Sequence, residues 1–259
     1  MLETLPEFLG LSLTQLLASV AITLFAGLVK GAIGFAMPLI MISLLGSVMA
    51  PALALAALIL PVTVTNLQQA LRQGPREAWD SGWTYRRFIL WMAVFIFVGA
   101  QMVLILPQGL LLGLLGVPVT LYAIVQLAGR SLRITIRRRG RAEAGLGAVA
   151  GFYGGMSGVW GPPLLVYLIS MNVEKRESVR IQGVVYMLGG LLLIAAHAQS
   201  GVLNAQTLPL SAALLVPALA GMWIGFRLQD RMDANRFRFW TLVLLAVSGL
   251  NLVRRAVMG

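Results

Sequence analysis

Long apolar runs set the pattern of this chain. They lie at about 13–29, 35–49, 51–71, 87–106, 109–130, 143–157, 162–171, 181–199, 208–227 and 237–253, with short polar connections between them. A helix needs roughly 20 mostly apolar residues to cross the hydrocarbon of a bilayer. Six runs reach spanning length. The runs at 13–29, 35–49, 143–157 and 162–171 are shorter and flank two interruptions, Gly31–Met37 and Ser157–Gly161. The pattern predicts an all-α polytopic membrane protein with 8–10 membrane segments, the short pairs being helices broken or hairpinned near the midplane.

The interruptions resemble each other. A shift of 124 residues brings Gly27, Gly31, Gly34 and Pro38 onto Gly151, Gly155, Gly158 and Pro162, and Gly99 has a counterpart in Gly221. Self-similarity of this kind sets the architecture. The chain reads as a first repeat over 1–130, a basic linker over 131–141 and a second repeat over 142–259. Each repeat is a Gly/Pro-broken helical hairpin plus three spanning helices.

Charge orients the repeats. Only 11% of the 259 residues are charged and 59% are hydrophobic, where a soluble domain carries about 25% charged residues. The net charge of +11 does not indicate nucleic acid, because the basic residues cluster at the ends of apolar runs, as the positive-inside bias places them. Eight plain spans put the central linker and the 227–238 loop on opposite sides. Five passes per half instead collect 17 of the 20 basic residues on one side: Arg72, Arg76, Arg86 and Arg87; Arg130, Arg133, Arg137, Arg138, Arg139 and Arg141; Lys175, Arg176 and Arg180; and Arg227, Arg231, Arg236 and Arg238. An odd number of passes inverts one half relative to the other. The basic side is cytoplasmic by this rule, and both termini face outward. The N-terminal segment is acidic, so the first run is expected to be a membrane helix rather than a cleaved signal. With no Cys and one His, neither a disulfide, a metal site nor a cofactor is expected.

Non-helical backbone at membrane depth survives only against protein or a water-filled cavity. Inverted repeats with paired broken segments are the pattern of secondary transporters, whose sites lie at the breaks. Glycine permits the turn, and proline just inside a helix start needs no N–H there. Gly34–Pro38 and Gly158–Pro163 are therefore expected to begin helices whose free N–H groups point inward, where an anion is favoured. The candidate ligands are Lys30, Gly31, Gly34, Phe35 and Pro38 at the first break, and Gly155, Ser157, Gly158, Trp160, Gly161 and Pro162 at the second. Thr63, Asn66 and Gln69 share one helix face, and Gln182 and Tyr186 another.

Each has a plainer role. Lys30 could snorkel, and the polar faces could serve interhelical hydrogen bonds. His197, near a run end, is expected to be solvated. Gly99, Gly113, Gly116, Gly221 and Gly225 suit close packing, and Trp79, Trp83, Trp91 and Trp240 suit interfacial anchoring. All nine acids lie in loops or near run ends, so no relay of buried carboxylates is expected. There is no phosphate-binding Gly-x4-Gly-Lys-Ser/Thr loop. An intramembrane enzyme would need a base beside Ser157 or an acid beside His197, and neither is evident.

The segment GFYGGMSGVWGPPLLVYL (Gly151–Leu168) resembles the Gly-rich, Gly-Pro-Pro segment of the sulfite exporter TauE/SafE family, also called the toluene-sulfonate uptake permease family. AGLVKGAIGFAMPLIMISLLG (Ala26–Gly46) resembles its first-half counterpart, and the likeness covers nearly the whole chain. It implies secondary transport of sulfite, an organosulfonate or a related small anion across a bacterial inner membrane, with an anion channel as the alternative. The sequence departs from the family at Lys30, where the second half has Gly154, at Phe35-Ala36-Met37, and at Trp160. The expected partners are a small anionic substrate and the lipid bilayer, with no nucleic acid. The coupling ion, proton or sodium, is not specified, and a homodimer is compatible with the sequence.

Overall fold

A computed structural model describes residues 11–34, 36–71, 74–130, 133–228 and 233–258. Its first half contains α1 (Leu13–Ile33), α2 (Met37–Val48), α3 (Pro51–Leu71), α4 (Pro75–Thr84), α5 (Arg86–Ile105) and α6 (Gln108–Leu127). The second contains α7 (Arg139–Ser157), α8 (Gly161–Ser170), α9 (Lys175–Ser200), α10 (Leu208–Ala213), α11 (Leu215–Leu228) and α12 (Ala234–Met258). No strand occurs among the described residues. Seven stretches are long and apolar enough to cross a membrane: α1, α3, α5, α6, α9, α10 with α11, and α12. The protein is an all-helical, multi-pass membrane protein.

The breaks are less symmetric than the apolar runs suggest. The first arms are not short, since α1 has 21 residues and α7 has 19, against 12 for α2 and 10 for α8. A capping box at Ser12 and Gln15 starts α1. The helix then runs through Lys30 and Gly31, which the sequence pattern places inside the break. α7 recruits Arg139–Ala142, a polar turn that hydrophobicity alone does not mark. α4 was not signalled by an apolar run, being short and polar on one face; it carries the exposed Trp79 and Trp83. The 208–227 run is divided at Leu214 into α10 and α11.

Each short helix doubles back on its long partner. Gln15 Nε2 donates to the Val48 carbonyl at 2.8 Å, so α2 ends beside the start of α1. In the second half Tyr167 Oη donates to Glu143 Oε1 at 2.8 Å, so α8 ends beside the start of α7. The α3 and α9 helices cross antiparallel, with Gly190 against Thr63 and Gly183 against Ala70. The two hairpins therefore open at opposite ends of the bundle.

The most extensive helix pairs are α5 with α7, α1 with α11, α6 with α12, and α3 with α9. Hydrophobic burial does not drive helix association in lipid, so backbone approach and packing must. A Cβ added to Gly27 or Gly31 would strike the carbonyls of Ala218 or Met222, and one added to Gly221 or Gly225 those of Leu24 or Leu28. On α7, Gly151 and Gly155 meet the carbonyls of Met92 and Ile96 of α5 in the same way, while Gly99 of α5 meets Phe152. Gly116 packs on Gly249 of α12, whereas Gly113 makes only ordinary contact with Ala256.

Glu143 lies near a helix start, yet it is buried. Arg139 Nε and Tyr167 Oη donate to its Oε1, each at 2.8 Å. Tyr167→Phe removes a hydrogen bond to a charged group and is expected to cost about 1.5–3 kcal/mol. Thermal unfolding in detergent reads this, and an unchanged midpoint would show that the hydroxyl contributes nothing.

Candidate functional site

Both hairpin tips use the same device. α1 ends at Gly34, with φ of 83° and its N–H donating to the Lys30 carbonyl at 2.7 Å. α7 ends at Gly158, with φ of 70° and its N–H donating to the Gly154 carbonyl at 2.7 Å. The returning helices start with proline in the first turn and have no side-chain N-cap. The first turn of a helix leaves N–H groups without intrahelical acceptors. In α2 those of Met37 and Leu39 are such groups. In α8, Pro162 and Pro163 have no N–H to offer, which leaves Gly161.

The first tip carries backbone strain. Ala36 has φ of 76°, a left-handed conformation that costs a residue with a Cβ about 1–2 kcal/mol. Strain of this kind concentrates at functional sites. Ala36→Gly is expected to raise stability by about 0.5–1 kcal/mol, the relief being partly offset by glycine's greater unfolded freedom. A lowered thermal midpoint would mean that the Ala36 methyl contributes packing that outweighs the strain.

The tips meet at a cavity of about 30 Å³, on a scale where one water needs roughly 10–15 Å³. The first hairpin contributes Lys30, Gly34, Ala36, Pro38 and Leu39 to its walls; the second contributes Val159, Trp160, Gly161, Pro162 and Leu165. Asn66 of α3, Tyr122 of α6 and Tyr186 of α9 complete it.

Lys30 does not snorkel. Only 2% of it is exposed. Its Nζ donates to Thr65 Oγ1 at 3.0 Å and, in a short contact, to Asn66 Oδ1. Asn66 Nδ2 in turn donates to the Tyr186 carbonyl at 3.2 Å. Ion pairs with carboxylates among the described residues involve Arg139 and Arg236, not Lys30. A buried ammonium bonded only to neutral oxygens is costly unless a counter-charge arrives.

Eight of the candidate ligands thus line one cavity: Lys30, Gly34, Pro38, Asn66, Trp160, Gly161, Pro162 and Tyr186. Phe35 lies outside the described residues. The others sit elsewhere, for identifiable reasons. Gly31 and Gly155 are helical and pack against the backbones of α11 and α5. Ser157 Oγ donates to the Tyr153 carbonyl at 2.7 Å and accepts from the Val159 N–H at 3.1 Å, so it braces the second tip from behind. Gly158 forms the turn itself, with Leu58 where a Cβ would go. Thr63 Oγ1 donates to the Ile59 carbonyl at 2.7 Å. Gln182 Nε2 donates to Ser178 Oγ at 3.2 Å. Gln69 Oε1 is buried with no hydrogen-bond partner.

The sequence reading missed Tyr122, Ala36, Leu39, Val159 and Leu165. Tyr122 lies in an unbroken apolar run with nothing to mark it; Ala36 and Val159 lie inside the breaks, and Leu39 and Leu165 just after them. Trp160 is accommodated by paired glycines, since a Cβ on Gly154 or Gly189 would come within 2.7 or 2.9 Å of its ring. Its centroid lies 6.2 Å from that of Tyr186.

His197 is not solvated. It is fully buried, with Nε2 2.7 Å from the Gly155 carbonyl and Nδ1 3.2 Å from Ser200 Oγ. The physical reason lies in the second tip. The Val159 N–H, which would continue the helix to Gly155, is turned to Ser157 Oγ instead. The imidazole fills the vacant place as a donor, an orphan carbonyl being costly away from water.

A family model described as sulfite exporter TauE/SafE matches residues 19–252. No curated protein and no solved structure matches the chain.

Proposed function

The chain belongs to the sulfite exporter TauE/SafE family, a family of membrane transporters, and we propose that it carries a small sulfur oxyanion, sulfite before larger sulfonates, by alternating access. The observation that carries this reading is Lys30, a buried ammonium on the cavity wall with no carboxylate partner among the described residues. An anion there supplies the missing charge. The starts of α2 and α8, which lack side-chain caps and supply Pro38, Leu39 and Gly161 to the cavity wall, add the attraction of the helix dipole for an anion. Asn66 holds Lys30 in place. The cavity of about 30 Å³ suits an ion of a few heavy atoms; an aromatic sulfonate would require the tips to separate.

In this reading the halves, 1–130 and 142–259 joined by the 131–141 linker, form an inverted repeat. Its support is the matching helix order, the exchange of α5–α7 with α11–α1 on swapping halves, and the opposite openings of the hairpins. Rocking of one half against the other exposes the tips first to one side and then to the other. The 17 clustered basic residues support a topology with the linker side in the cytoplasm of a bacterial cell and both termini outside.

Flux into proteoliposomes tests this, with sulfite, sulfoacetate, taurine, sulfate and a carboxylate as the panel. Saturable sulfite flux with counterflow, lost in Pro162→Ala or Gly158→Ala, is the expected result. No flux of any panel member under sodium and proton gradients of either sign would overturn the substrate assignment. Flux linear in concentration and without counterflow would make the protein a channel.

A further inference from the structure

We infer that the protein carries a built site for an anionic phospholipid on its basic side, formed by an apolar groove between α4, α5 and α9 and by arginines at the groove's mouth. This does not rest on the transport reading. The groove encloses about 480 Å³ and its walls include Trp79, Trp83, Ile89, Leu90, Val184 and Leu188. A second hollow of about 380 Å³ adjoins it, lined by Arg86, Arg87 and Arg139 together with Trp83, Thr84 and Glu143. The two share Trp83 and Arg86. One is apolar, the other carries three cations against one carboxylate, and they lie side by side across Trp83 and Arg86. That is the complementarity of an acyl chain joined to a phosphate.

The charges are arranged for such a guest. Glu143 is satisfied by Arg139 and Tyr167, both at 2.8 Å. Among the described residues no carboxylate forms an ion pair with Arg86 or Arg87. The Arg86 guanidinium lies 4.6 Å from the Trp83 ring centroid, and its Nη1 donates to the Trp83 carbonyl at 2.9 Å. This holds it where groove and hollow meet. Trp79 and Trp83 are 73% and 62% exposed, as interfacial aromatics at headgroup level are. The groove walls are already tied together, because Arg180 Nε of α9 donates to Ser81 Oγ of α4 at 2.8 Å and Arg139 Nη2 of α7 reaches the Thr84 carbonyl at 3.4 Å. A lipid seated here touches helices of both halves and braces them against each other. Ordinary annular lipid would coat the same apolar surface without preferring a headgroup, and the arginines make that distinction measurable.

The test uses the full chain in maltoside micelles, titrated with phosphatidylglycerol, phosphatidylcholine or glycerol 3-phosphate while the thermal midpoint is followed. Phosphatidylglycerol is expected to raise the midpoint with dose; the other two are not. In an Arg86→Gln/Arg87→Gln variant its apparent affinity is expected to fall about 30-fold. Arg76→Gln, on α4 but outside both hollows, is expected to leave it unchanged. If the double variant does not fold, Ala93→Phe, which fills the groove and keeps every arginine, is expected to weaken binding in its place. Equal stabilisation by phosphatidylcholine, equal stabilisation by glycerol 3-phosphate alone, or equal weakening by Arg76→Gln would overturn the site.

Discussion

Lys30→Met is expected to give a protein at least as stable as the parent that no longer binds its anion with useful affinity. The two effects have one cause. The ammonium is buried and bonded to the neutral oxygens of Thr65 and Asn66, and the cost of holding an unpaired charge out of water exceeds that of leaving Asn66 Oδ1 without its donor in Lys30→Met. With the anion present, the same ammonium is half of a desolvated charge pair. Removing one member of such a pair costs about 2–5 kcal/mol, which is roughly 30-fold to several thousand-fold in affinity. Sulfite titration followed by thermal shift, beside initial flux rates, separates the outcomes. A raised midpoint together with lost binding is the signature of a residue kept for function at the expense of stability. Unchanged flux at every concentration would remove Lys30 from the site and with it the main support for the anion reading. A lowered midpoint with unchanged apparent affinity would make Lys30 a structural tie between α1 and α3.

Much of this arrangement was legible in the sequence, and what was not has physical causes. The repeated Gly-x3-Gly-x2-Gly-x3-Pro pattern marked both hairpin tips, because a turn at membrane depth needs glycine at positive φ and a returning helix tolerates proline only in its first turn. The same pattern misled at Gly31 and Gly155. Four-residue spacing is also one helical turn, and a glycine that lets two helices touch looks the same in sequence as one that lets a chain turn. Here Gly27 and Gly31, like Gly151 and Gly155, do the former, while Gly34 and Gly158 do the latter. Lys30 was read between two roles, snorkelling and ligand. Its side chain turns inward because its partners Thr65 and Asn66 lie on α3, which no local pattern reveals. His197 was misread because its partner, the Gly155 carbonyl, is exposed only by the way the second tip closes. Tyr122 reaches the cavity through the packing of α6 beside α2 and α3, a tertiary fact with no local signal.

The close approach of helices makes the second strong expectation. Gly31→Val and Gly155→Val should each prevent accumulation of folded protein, whereas Gly145→Val should be harmless. At Gly31 a Cβ would run into the Met222 carbonyl, with the Phe226 nitrogen 2.9 Å away; at Gly155 it would meet the Ile96 carbonyl, with the Ala100 nitrogen 2.9 Å away. At Gly145 it would meet nothing within 4 Å. Overpacking in a core costs typically 1–3 kcal/mol when side chains can shift. Here the obstacle is main chain, so α1 must move from α11, or α7 from α5, along the whole contact. Those helices are also the long arms of the two hairpins. Moving either one displaces its tip, so a variant rescued by low temperature should still lose anion binding. The monodisperse fraction after detergent extraction reads the first effect, and Gly145→Val controls for the general cost of valine in a helix. Normal yields of Gly31→Val and Gly155→Val would mean that the α1–α11 and α5–α7 contacts are not what fixes the tips.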